Sequence, residues 1–190
     1  MPRAAMTGAA FAALIADLEA ALAELTIAAE RWDHGAPGKW TAGQHVDHIR
    51  LCMEEAATDY ETRAAALRAR ALGPVPRRGF LENLWVLLVI GPDRLPRGGR
   101  TPKRFEAGPT PDRAGTLAAL HRACDRQEAL GRGLTPEERD GLWAPNPFLP
   151  KWRYTFPEIL RVHAVHVRHH ARQIREAATR SANSPRGEFA

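Results

Sequence analysis

No glycine or proline interrupts the chain between Glu158 and Arg180, and four of its eight histidines fall within His163–His170. Alanine, arginine and glutamate are plentiful there, so the stretch reads as one long helix. At ~100° per residue, His166 and His170 stand one turn apart on a stripe that Ile159 and Ala177 extend. His163 and Gln173 flank this stripe, and Arg161, Arg168, Arg172 and Arg175 fall on the opposite side. The pattern predicts a helix with a solvated arginine back and a histidine front turned inward. Two inward imidazoles at i and i+4 form a two-point grip on a metal ion. The same short pattern also arises from histidines with ordinary hydrogen bonds, and a third ligand elsewhere decides between the two.

Three further segments carry helical periodicity. Phe11, Leu14, Ile15, Leu18, Leu22 and Leu25 mark a first helix over about 7–31, with Thr7 as its cap. Gly35, Pro37 and Gly38 break the chain before a second helix over about 41–70. Thr41 and Gln44 have the spacing of a capping box at its start. On this helix Gln44, His48, Cys52, Glu55 and Asp59 share a polar stripe within ~40° of His48. An inward polar stripe is costly unless satisfied, so it marks a site or a wet face. Glu55 and Asp59 read more simply as solvated carboxylates near the open end of the bundle.

Leu72 to Pro111 is punctuated by glycine and proline, apart from the apolar run Phe80–Ile90, which predicts a short helix packed over the bundle. The charged part, Arg94 to Lys103, reads as mobile. A connection this long crosses one end of a bundle and helps shape a pocket. Thr110, Pro111 and Asp112 open a third long helix over about 112–130, with Leu117, Leu120, Cys124 and Leu130 as its core stripe. Leu134–Asp140 reads as a short capped turn of helix and Trp143–Trp152 as a loop. Thr155 and Glu158 then cap the histidine helix, over about 156–179. These elements predict an all-α fold: a four-helix bundle with a long crossover between its second and third helices. One domain spans 1–180, followed by a disordered tail, 181–190.

Lys and Arg total 27 against 22 Asp and Glu, a net charge of +5, but the arginines are scattered. No basic run with interleaved aromatics stands out, so no nucleic-acid partner is expected. Leu84–Ile90 is too short to span a bilayer, and the first residues lack the apolar core of a signal peptide. With only Cys52 and Cys124, reduced thiols in the cytoplasm are the simpler expectation. Cys124 reads as a small core residue.

The bundle lets His48 from the second helix meet His166 and His170 from the fourth. Three imidazoles without a fourth protein ligand leave coordination positions open, as in catalytic rather than structural sites. The order Trp40-Thr-Ala-Gly-Gln-His-Val-Asp-His48-Ile, then Asn146-Pro-Phe-Leu, Thr155-Phe-Pro-Glu158, and His166-Val-Arg-His169-His170-Ala-Arg-Gln173-Ile174 resembles the DinB-like superfamily, in particular its DinB_2 group. Pro102-Lys-Arg-Phe105 is similar too, and the resemblance covers residues 10 to 178. It implies a metal held by His48, His166 and His170. His45, His163 and His169 are left as supporting, pocket-edge or surface residues, and Cys52 as a small core residue. Trp40 is assigned to packing, and Gln173 to packing or a supporting hydrogen bond.

Imidazole suits Zn²⁺, Ni²⁺, Fe²⁺ and Mn²⁺, and the sequence does not choose among them. An ion with an open position activates a thiol or a water. The resemblance implies thiol-dependent transfer, with a low-molecular-weight thiol as partner and a homodimer as the assembly. Metal-dependent hydrolysis and a non-enzymatic bundle that binds a ligand or partner stand as alternatives.

Overall fold

The computed structural model describes residues 5–90, 95 and 101–183. Its helices are α1 (Gly8–Ala28), α2 (Ala42–Arg68), α3 (Phe80–Ile90), α4 (Arg113–Arg132), α5 (Pro136–Gly141) and α6 (Phe156–Asn183). A 3-10 turn covers Lys103–Phe105, and two short strands, β1 (Trp143–Pro145) and β2 (Arg153–Thr155), pair antiparallel.

The long helices α1, α2, α4 and α6 form the four-helix bundle. Side-chain pairs give their directions. Phe11 stacks on Phe156 and Arg168 reaches Asp17, so α1 and α6 run parallel. Gln127 bonds the Met53 carbonyl and Arg68 the Gly133 carbonyl, so α2 and α4 are parallel too. Tyr60 meets Tyr154 while His48 meets His166, which makes α2 and α6 antiparallel. The order is therefore up, down, down, up. Two consecutive parallel helices require a connection that returns along the bundle. With α2 at 27 residues, or roughly 40 Å, the crossover must be long. Between the helices, Leu18, Leu22, Leu25, Ile49, Met53, Leu120 and Leu160 are almost wholly buried.

The caps expected at Thr7 and Thr41 are present, the latter as a complete capping box, and the short capped helix expected within Leu134–Asp140 starts on a second box at Thr135. Several expectations are corrected. Asp112 stands outside the third long helix as its N-cap, its carboxylate accepting the Gly115 N–H at 2.6 Å, so Thr110 and Pro111 precede α4. Trp143–Trp152 forms the first strand and the turn of a hairpin completed by β2, rather than a plain loop. Asn146 closes its turn: Oδ1 accepts the N–H groups of Phe148 and Leu149, and Nδ2 donates to the Tyr154 hydroxyl. The arginine back of α6 is docked only in part: Arg168, 19% exposed, pairs with Asp17 on α1, while Arg175 meets Glu24 but stays half-exposed. Helix α3 is tied down through Glu82, which bonds Arg153 and approaches Arg78. Phe80, Leu81, Leu87 and Leu88 remain exposed, so it covers the bundle only in part. The expected tail is helical through Asn183, and 184–190 lie outside the described residues. Most of the stretch expected to be mobile, Arg94–Lys103, lies outside them too, while Lys103 opens the 3-10 turn.

Candidate metal centre

His48 lies near the start of α2, and His166 and His170 lie midway along α6. Their ring nitrogens converge, with His48 Nε2 3.3 Å from His166 Nε2 and His166 Nε2 3.0 Å from His170 Nε2. Two nitrogens bound tetrahedrally to one ion at ~2.0–2.1 Å would stand ~3.3 Å apart. Among the described residues these three form the one group of candidate ligands whose donor atoms all lie within 4.8 Å of one another. The donor set fits a borderline divalent ion, with positions left for other ligands.

The outward nitrogens are also placed. His48 Nδ1 lies 2.8 Å from the Phe105 carbonyl oxygen, which only accepts, so Nδ1 carries the proton and Nε2 a bare lone pair. His170 Nδ1 lies 2.7 Å from Nδ1 of His45, one turn before His48. The support under His48 is itself pinned: Asp47 accepts the Gly108 N–H at 2.9 Å, and the Gln44 amide donates to the Gly108 and Pro109 carbonyls.

Burial keeps these imidazoles neutral. It pulls His45 down to about 4, helped by the charges of His48 and His169. His48 is lowered by burial against the opposing pull of the Phe105 carbonyl. His166 and His170 lie well below the ordinary value, first through burial and then through neighbouring imidazoles. Neutral rings with bare Nε2 atoms are the form that accepts a metal.

The other candidates separate clearly. His163 is buried, its Nδ1 3.0 Å from Gln127 Oε1, and takes no part in the cluster. His169 is half-buried with its ring set edge-on to His170. Cys52 Sγ is 3.8 Å from His48 Nε2, but burial pushes its thiol pKa up, so it stands as a protonated wall residue. Glu55 pairs with Arg104 at 3.1 Å, and Gln44 is spent on the cap and the crossover, so neither completes the polar stripe at the triad.

Three aromatic residues belong to the site beyond the packing role given to Trp40. Trp40 lies 5.1 Å from the His48 ring, 5.5 Å from His45 and 6.4 Å from His170, centroid to centroid. Phe148, presented by the Asn146 turn, lies 5.3 Å from Phe105 and 6.5 Å from His166. Their signals were the Trp-led segment before His48 and the Asn146-Pro-Phe run. The half-buried His166 opens with them into a cavity of about 1770 Å³ that runs past Tyr154 and Arg104.

The DinB superfamily profile matches residues 10–174. The chain belongs to the DinB superfamily. A solved structure similar to this DinB-superfamily chain is described as "YfiT from Bacillus subtilis is a probable metal-dependent hydrolase with an unusual four-helix bundle topology". The two share 21% identity, the match covers 96% of this chain and 93% of that one, and the TM-score is 0.59. No functionally curated protein matches the sequence. Among the described residues of this superfamily member, no helix is long and apolar enough to cross a membrane.

Proposed function

We propose that the chain is a divalent-metal-dependent enzyme that transfers a low-molecular-weight thiol to an electrophilic acceptor. The observation that carries this reading is the convergence of three neutral imidazoles, at 3.0 and 3.3 Å, on the wall of a large cavity. His48, His166 and His170 would hold the ion; Zn²⁺, Ni²⁺, Fe²⁺ and Mn²⁺ all accept this donor set. When bound, such an ion lowers the pKa of a thiol or water at its open position.

The chain's own residues do the rest. The Phe105 carbonyl and His45 hold two of the three rings in place. Trp40, Phe105 and Phe148 give the wall around the cluster an apolar surface. That environment favours a soft nucleophile that needs only the ion to ionise. Cys52 is buried beside His48, its Sγ 3.8 Å from His48 Nε2, and the transferred thiol would come from solution through the cavity. Hydrolysis is the second reading, favoured by the description of YfiT. The buried free cysteines support a reducing compartment, the cytoplasm. We also propose a homodimer. Its support is the exposed leucines of α3; the apolar stripe of α1 is buried within its own bundle.

The test is turnover. Metal-loaded protein, purified without an affinity metal, should consume one of a panel of thiols against an electrophilic acceptor, and the apoprotein should not. A fully loaded protein inert to every thiol but active on an ester or amide panel would establish the hydrolase. One inert to both would sink the enzyme reading.

A further inference from the structure

We infer that His45 is a positioning residue for the metal site: its Nδ1 accepts the Nδ1 proton of His170 and locks that ring with its Nε2 lone pair toward His48 and His166. The inference rests on the reading of the triad as a metal site.

The argument is one of proton count. The two Nδ1 atoms are 2.7 Å apart, a distance that demands a proton between them. Each neutral ring carries one proton, on one nitrogen. If His45 donated, His170 would carry its proton on Nε2, which lies 3.0 Å from His166 Nε2, inside the cluster. If His170 donates, its Nε2 is bare, as the Phe105 carbonyl leaves that of His48. Both lone pairs then face His166 Nε2, whose proton is the one a cation must displace. The other supported ring sets the precedent, since the Phe105 carbonyl can only accept and leaves His48 Nε2 bare. His170 has no carbonyl in that place, and a side chain takes the role.

The architecture favours this assignment. His45 and His48 are three residues apart on α2, so one turn of one helix supplies both a ligand and the support for a ligand on α6. Trp40 contacts the His45 ring at 5.5 Å and the His170 ring at 6.4 Å, which restrains both. Groups that hold the outward nitrogen of a ligating histidine typically change metal affinity ~10–100-fold when removed.

The test separates the acceptor from the ring's bulk. His45→Phe keeps a ring against Trp40 and removes the acceptor. His45→Asn places its carbonyl oxygen close to where Nδ1 stood and can accept. Zn²⁺ affinity is measured on the full chain by competition with a chromophoric chelator, with the apoprotein's thermal midpoint as the folding control. His45→Phe should bind Zn²⁺ ~10–100-fold more weakly, and His45→Asn within about threefold of the parent. His45→Phe binding like the parent, or His45→Asn binding as weakly as His45→Phe, would overturn the inference. A parent chain that takes no zinc would defeat the metal reading itself and this inference with it. Long-range ¹H–¹⁵N spectra of the unmutated apoprotein give an arm that needs no variant. They should show His170 protonated at Nδ1 and bare at Nε2; the opposite tautomer would overturn the assignment.

Discussion

The backbone carbonyl of Phe105 lies 2.8 Å from Nδ1 of His48, across a sequence separation of 57 residues. The crossover that the parallel placement of α2 and α4 makes necessary thus supplies the group that orients one imidazole of the histidine cluster. Its hold on α2 runs through Asp47, which accepts from Gly108 and pairs with Arg50. Asp47→Ala releases both, so it should weaken Zn²⁺ binding ~10-fold and cost about 1–2 kcal/mol of apoprotein stability. Zn²⁺ competition and urea unfolding of the variant check both.

Glu158 sets an acid limb to stability. Burial raises its pKa, but the Arg78 hydrogen bond and charge, with the Thr155 N–H, bring it net below the usual 4.5. The folded-state pKa is therefore depressed. The contribution is complete above about pH 4.5 and is lost as pH falls through the folded value. Glu158→Gln should cost about 1–3 kcal/mol at pH 7, with the difference from the parent shrinking below pH 4. Urea unfolding from pH 3 to 7 reads this; a gap that widens on acidification would contradict the sign.

Gly131 sits where α4 meets two rings. A Cβ there would come within 2.2 Å of Phe11 and 2.9 Å of Phe156. Both rings are buried and stacked, so neither yields easily. Gly131→Ala should destabilise by about 1–3 kcal/mol despite alanine's better helix propensity. A rise in thermal midpoint would contradict the packing described.

Helix α3 offers the test of the homodimer. Leu87 and Leu88 are 66% and 56% exposed. Light scattering should give a dimer for the parent and a monomer for Leu87→Glu/Leu88→Glu. A parent that stays monomeric at high concentration would refute the dimer.

The bundle was legible because each long helix carries its own periodicity and cap: Thr41 with Gln44 behaves in the fold as its spacing demands. The His166–His170 pair was legible for the same reason, since one turn of helix decides it. What distant contacts decide was not. Nothing local says that His45 and not His163 supports the cluster, because the two are separated by whether His170 or Gln127 lies opposite. The arginine face of α6 read as solvated because only tertiary packing sets Asp17 and Glu24 against it. The hairpin was missed because its strands are short and Trp143–Trp152 is rich in proline. Asn146 closes the turn through side-chain bonds that no periodicity reveals.

The central claim is that His48, His166 and His170 hold one divalent ion. The most direct measurement is metal content by elemental analysis after loading and exhaustive dialysis, for the parent and single alanine variants. The parent and His163→Ala should retain one ion per chain, while His48→Ala, His166→Ala and His170→Ala should retain close to none, because two imidazoles hold a divalent ion far more weakly than three. Loss of the ion from His163→Ala with retention by His170→Ala, or a parent that retains no metal at all, would contradict the account.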